Sequence, residues 1–113
     1  MPFHVKVGEA IKFGHYSCIV INQHTTIGNN VTIANGVTIG NNLTKGVGSP
    51  KIGDNCILAP GCKILGPIEL GENCFVGVNA VVTKSFPKNS VLGGVNKLIS
   101  TNGEEIIIKC INF

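Results

Sequence analysis

Charge and aromatic surface are both scarce in this chain. Only 13% of its 113 residues are Asp, Glu, Lys or Arg, and the aromatics amount to five Phe and one Tyr with no Trp. A surface so poor in charge is expected to be covered in part by another subunit. No run of Lys or Arg accompanies the net charge of +3, which together with the few aromatics argues against a nucleic-acid partner. No apolar run reaches the ~18 residues that span a bilayer, and the opening Met1-Pro-Phe-His lacks the charged and apolar parts of a secretion signal. The expectation is a cytoplasmic protein without a membrane partner. There is no CxxC, and five cysteines cannot all pair; reduced thiols fit the same compartment.

What the chain has in abundance is a period. An aliphatic residue recurs every six positions at Ile21, Ile27, Ile33 and Ile39, and again at Ile52, Leu58, Ile64, Leu70, Val76 and Val82. Six neither closes on a helix face nor suits a hairpin meander; it is the signature of a parallel β-helix built from hexapeptide rungs. Typical units are Ile27-Gly-Asn-Asn-Val-Thr and Leu70-Gly-Glu-Asn-Cys-Phe. Two more, starting at Val7 and Phe13, stand upstream in another frame and bring the total to twelve. Each unit has a large aliphatic first position and a smaller fifth position, separated by Gly, Asn, Asp or Pro, which turn corners readily. Cys56, Cys62 and Cys74 occupy fifth positions and read as small buried hydrophobes. Cys18 and Cys110 lie outside that register. The expected organisation is a single domain over 1–113, with repeats over about 7–87, a loop at 40–51 and a C-terminal extension at 88–113.

The period fails twice. Phe13 and Ile21 are eight positions apart instead of six, and residues 40–51 leave the repeat altogether. Long excursions from a rigid scaffold commonly carry function. The first break contains His15. An imidazole with a pKa near ~6.5 can take a proton from an alcohol as that alcohol attacks, which an unassisted hydroxyl does poorly at neutral pH.

Phe13-Gly-His15-Tyr-Ser-Cys-Ile-Val-Ile, Val37-Thr-Ile-Gly, Ser49-Pro-Lys-Ile, Cys62-Lys-Ile-Leu-Gly and Asn79-Ala-Val-Val-Thr together resemble the hexapeptide acyltransferases. The branch they resemble is that of the serine acetyltransferases and related sugar O-acetyltransferases. The resemblance implies an all-β fold, a single-stranded left-handed parallel β-helix of about four turns with one loop excursion and a short C-terminal strand or extension. The left hand comes from the family, since parallel crossovers in general are right-handed. It further implies acetyl-CoA as co-substrate, no metal, direct transfer to a serine or sugar hydroxyl, and a homotrimer with sites between subunits.

Carried onto this sequence, the family's general base falls on His15. The cofactor-binding candidates are Lys45, Ala59, Gly61, Gly77, Asn79 and Lys97; Ser49 and His24 are the candidates for acceptor contact. The Gly-rich corners offer backbone N–H groups for the thioester oxyanion. Gly14 and Ser49 stand where the serine acetyltransferases carry an Asp and a second histidine, which brings a sugar hydroxyl level with serine as acceptor. Two other readings compete: a scaffold that kept the solenoid and lost the chemistry, and a zinc hydratase of the γ-carbonic anhydrase type, whose three-histidine site the spacing of His4, His15 and His24 does not match. Residues 103–113 form an apolar run with β propensity, expected to be a strand.

Overall fold

The computed structural model describes residues 6–8, 12–13, 19–41 and 48–111, with side chains at 8, 19–41 and 48–108. Short strands follow one another as β1 (Lys6–Val7), β2 (Lys12–Phe13), β3 (Val20–Ile21), β4 (Thr26–Ile27), β5 (Thr32–Ile33) and β6 (Thr38–Gly40). They continue as β7 (Lys51–Ile52), β8 (Ile57–Leu58), β9 (Lys63–Leu65), β10 (Glu69–Leu70), β11 (Phe75–Val76) and β12 (Val81–Val82). Every third strand pairs in parallel. The first wall is β1-β4-β7-β10, the second contains β2, β5, β8 and β11, and the third is β3-β6-β9-β12. The chain therefore winds round a three-sided prism, four times as far as β12.

The first-position aliphatics form its core. Ile21, Ile27, Ile33, Ile39, Ile52, Leu58, Ile64, Leu70, Val76 and Val82 are all buried, none more than 4% exposed. Lateral stacking is in register: Ile39 pairs with Ile64 and Ile64 with Val82. The fifth-position residues Val31, Val37, Cys56, Cys62, Cys74 and Ala80 fill the gaps between them. The three cysteines are buried and free, as their position in the hexad predicts. Cys56 donates to the Gly71 carbonyl at 3.3 Å and Cys74 to that of Pro87 at 3.3 Å, so each thiol satisfies a carbonyl of the next rung. The hydrogen bond with Cys74, followed by burial, raises the Cys56 thiol well above its ordinary range. Burial pushes the Cys62 thiol up to about 12. Cys18 and the side chain of Cys110 lie outside the described residues.

Both breaks in the period leave the stacking intact. Phe13 is in register with Ile33, and Ile21 with Ile39, so the extra residues of the first break fall between β2 and β3. Ile27 is in register with Ile52, so the second break is confined to the step from β6 to β7.

Winding continues beyond the last hexad. Phe86 bridges to Leu70 on the first wall, β13 (Val91–Gly93) adds to β11 on the second, and Val95 bridges to Val81 on the third. The chain then reverses: β14 (Lys97–Ser100) runs antiparallel to β13 and ends the second wall. β14 falls within the expected C-terminal extension at 88–113.

Residues 103–113 are a different matter. The expected strand there is a helix, α1 (Gly103–Ile111), with Glu104 and Glu105 in its first turn. Acidic residues at a helix N-terminus complement the backbone dipole, and Asn102 accepts the Ile106 N–H with its carbonyl. Isoleucine's β propensity yields to tertiary packing: α1 packs against β11 and buries Ile107 to 3% exposure, while Ile108 stays 51% exposed. Ile57, Phe75 and Val91 are the outward residues of successive strands on that wall. Their apolar character explains why this wall receives a cover from its own chain.

Candidate active site

Three stacked corners join the walls, and the described residues singled out in the sequence, Lys97 apart, fall on two of them. The corner between the second and third walls holds Ala59, Gly61, Gly77 and Asn79. Here Gly36 and Gly61 adopt φ of 73° and 75°, and Asn79 φ of 56°. A Cβ on Gly61 would run into the Asn79 carboxamide, so glycine at this position is what lets adjacent rungs close up.

Four backbone N–H groups of this corner, those of the candidate residues, are already committed along the axis. Ala59 donates to Val76 at 2.9 Å, Gly61 to Asn35 at 3.0 Å, Gly77 to Leu92 at 2.8 Å and Asn79 to Pro60 at 3.0 Å. A ligand lying along this corner meets carbonyls, the exposed Asn79 carboxamide and the exposed Val78 instead. Sequence reasoning missed Lys63, whose ammonium donates to the Gly61 carbonyl at 3.0 Å and so places a positive charge on this corner. Lys97 lies exposed on β14, opposite Gly93.

The corner between the third and first walls holds His24 and Ser49, and the structure brings them together through a residue the sequence reading passed over. Asn22 Oδ1 accepts the Ser49 hydroxyl at 2.7 Å and the His24 backbone N–H at 3.0 Å. Ser49 Oγ also lies 3.2 Å from Asn41 Oδ1, so the two feet of the excursion are tied to each other and to the preceding rung. Gln23 Nε2 stands 3.2 Å from His24 Nε2. The signal for Asn22 was present: second positions of the other hexads here are mostly Gly or Ala, and a carboxamide in that place is an anomaly. Below Asn22, the Thr25 hydroxyl is fully buried and has no hydrogen-bond partner among the described residues.

His15 and Lys45 lie outside the described residues, as does His4. His15 falls in the step between β2 on the second wall and β3 on the third. The His24 and Ser49 cluster stands at the far edge of the third wall. One face of the prism, about five residues of extended chain or roughly 15 Å, separates the two corners.

Comparison with known proteins agrees with this architecture. Residues 49–84 match the family model for bacterial transferase hexapeptide (six repeats), and residues 17–43 match the hexapeptide repeat of succinyl-transferase. A serine acetyltransferase of Staphylococcus aureus strain Mu50 is 41% identical over 91 residues, covering 80% of this chain and 43% of the relative. The crystal structure of Neisseria gonorrhoeae serine acetyltransferase superposes with a TM-score of 0.82 at 30% identity, over 88% of this chain and 40% of that one. A serine acetyltransferase in complex with CoA superposes at 0.74 with 34% identity, over 80% of this chain and 37% of that one. The chain thus spans less than half the length of these relatives. Within that span the parallel three-walled winding, the hexads and the sequence identity agree: this chain is a hexapeptide-repeat, left-handed β-helix protein related to the serine acetyltransferases.

Proposed function

We propose that the protein is an acetyl-CoA-dependent O-acetyltransferase in which His15 is the general base. The imidazole takes the proton of an acceptor hydroxyl as its oxygen attacks the thioester carbonyl; the tetrahedral adduct then collapses, expelling CoA thiolate, with no acyl-enzyme between. The supporting observation is positional. His15 falls in the step between the same two walls whose corner carries Ala59, Gly61, Gly77, Asn79 and Lys63, so acetyl-CoA along that corner brings its thioester toward the base. That a relative was crystallised with CoA supports the same cofactor here. Because the corner glycines already donate along the axis, oxyanion donors come from elsewhere in the site. Serine is the acceptor in the relatives' names; Ser49, standing in place of the family's second histidine, widens the range to sugar hydroxyls.

The separation of the two corners supports assembly. A site uniting His15 with Ser49 and His24 takes one corner from each of two chains, and a homotrimer supplies such a cleft at each interface. Val20, Val78 and Val95, 58%, 66% and 71% exposed, supply apolar surface on the third wall and its leading corner for this contact. Acetyl-CoA is a cytoplasmic metabolite, and that compartment suits the reduced thiols.

The test is release of CoA thiol from acetyl-CoA with a panel of hydroxyl acceptors, beside light scattering for the assembly. His15→Ala is expected to lower turnover at least 100-fold, in line with the usual contribution of a general base. Unchanged turnover in that variant rules out the assigned role.

A further inference from the structure

A two-lobed trough starts at the corner between the third and first walls, directly below the feet of the excursion, and runs across the outer face of the first wall toward Gly71 and Pro87. The upper lobe, about 330 Å³, is bounded by Ser49, Lys51, Pro67, Glu69 and Ser85. The lower lobe, about 350 Å³, shares Glu69 and Ser85 and adds Phe86 and Pro87. Gly48 makes the upper lobe possible. A Cβ there would sit 2.5 Å from the Pro67 Cβ, so only glycine lets the returning chain lie this close to the next rung.

The polar groups round the trough are unusual in being left open. Lys51 and Glu69 are direct partners across β7 and β10. Opposite charges on neighbouring strands commonly pair; these two, both exposed, form no ion pair with each other or with another described residue. Ser85 Oγ accepts the Glu69 backbone N–H at 2.9 Å, which leaves its own O–H to donate. The floor is apolar. Pro67, Phe86 and Pro87 form it, and the Lys84 ammonium, 5.5 Å from the Phe86 ring centroid, holds that ring in place.

An ammonium can only donate and a carboxylate can only accept, so one ligand that serves both must carry groups that do either. A hydroxyl does both. A phosphate would be repelled by Glu69, and a simple cation by Lys51. The apolar floor between these groups fits the C–H face of a pyranose ring, and the lobes together extend over three rungs, roughly 10 Å, which suits more than one ring in line. The geometry points to an oligosaccharide-binding subsite in this trough, which presents a sugar hydroxyl to the neighbouring cluster of Ser49, Asn22 and His24. The acceptor is then a saccharide. This deepens the O-acetyl transfer reading and rests on it only for the reaction, since binding in the trough stands on its own.

Protein-observed NMR with a panel of mono- to tetrasaccharides of hexoses and N-acetylhexosamines, with L-serine as the comparison, tests it on the full chain. Saccharides are expected to shift the amides of Ser49, Lys51, Glu69, Ser85 and Phe86, with affinity rising from mono- to trisaccharide. Glu69→Gln and Ser85→Ala, both at exposed positions and checked for fold by circular dichroism, are expected to weaken the best saccharide about 10-fold each. Shifts at these amides with L-serine alone, or none with any saccharide at tens of millimolar, overturn the proposal. Saccharide binding here without thiol release from acetyl-CoA sustains the subsite and overturns the transfer reading. Transfer to serine without saccharide binding does the reverse.

Discussion

Gly61 offers the sharpest test of how the rungs stack. Alanine there meets two separable costs. The first is a left-handed backbone, φ 75°, worth about 1–2 kcal/mol for a residue with a Cβ, less about 0.4–1 kcal/mol gained because alanine restricts the unfolded chain. The second is the Asn79 carboxamide, which occupies the space the new methyl needs and must turn off its rotamer at about 0.5–1.5 kcal/mol. Gly36 shares the first cost without the second: its φ is 73°, but among the described residues a Cβ there finds nothing closer than Gly61 at 3.6 Å. Gly36→Ala is therefore expected to cost about 1 kcal/mol and Gly61→Ala about 2 kcal/mol. Adding Asn79→Gly, which suits the positive φ of residue 79, should return the Gly61→Ala protein to the Gly36→Ala level. Urea unfolding at one fixed protein concentration resolves this. With a slope near 2 kcal/mol per molar urea the midpoints fall by about 0.5 and 1 M. Equal costs for the two glycines, or no recovery with Asn79→Gly, would mean that residues 61 and 79 do not lie on adjacent rungs of one corner.

Other outcomes follow from the same geometry. Ile64→Ala, at a position 0% exposed between Ile39 and Val82, should cost about 2–5 kcal/mol in the same assay, whereas Ile99→Ala, 61% exposed, should stay within about 0.5 kcal/mol. The Cys62 thiol, raised by burial from 9.0 to about 12, stays protonated in the folded protein after it has ionised in the unfolded one. Its stabilising effect is complete below pH 9.0 and declines as pH rises toward 12; unfolding of Cys62→Ala beside the parent from pH 8 to 11 should show a flatter fall for the variant. Asn22→Ala removes the acceptor of the Ser49 hydroxyl and the His24 N–H. It is expected to cost about 1 kcal/mol and to speed amide hydrogen exchange at Ser49 and His24 while leaving the Val76 and Val82 amides protected.

The fold was legible because a six-residue repeat leaves little freedom. Once Ile27 and Ile52 must stack, intervening residues have to leave the wall and return, and seven extra or two extra make no difference to the core. The thiols were legible for the same reason: Cys56, Cys62 and Cys74 hold fifth positions, and of the fifth positions described from Thr25 to Phe86 all but Phe86 are buried. The helix at 103–111 was not. Ile106, Ile107 and Ile108 favour a strand in isolation, and only the apolar outer wall of β8 and β11 makes a helix with Ile107 inward the better burial. Asn22 and Lys63 were missed for another reason. Asn22 depends on Ser49, and a repeat read unit by unit shows no pairing between a hexad and a loop that departs a full turn later; Lys63 reaches Gly61 within its own unit, where the sequence does not show which way a sixth-position side chain turns.

The axial ladder also explains why the chemistry belongs to the irregular parts of the chain. At a regular corner the second-position N–H, as at Ala59 and Gly77, is spent on the rung beside it, and the aliphatic side chains face inward. What remains for a ligand is side chains at corner tips and whatever an interruption adds. The two interruptions sit on different corners of the prism, at opposite edges of the third wall. In the proposed reaction one edge supplies the base and the thioester, the other the acceptor, so a dissociated chain should bind each partner and join neither. An interface change at the exposed Val20, such as Val20→Asp, tests this. Acetyl-CoA and acceptor binding by the resulting monomer should persist while turnover is lost, and a monomer that still turns over would refute the two-chain site.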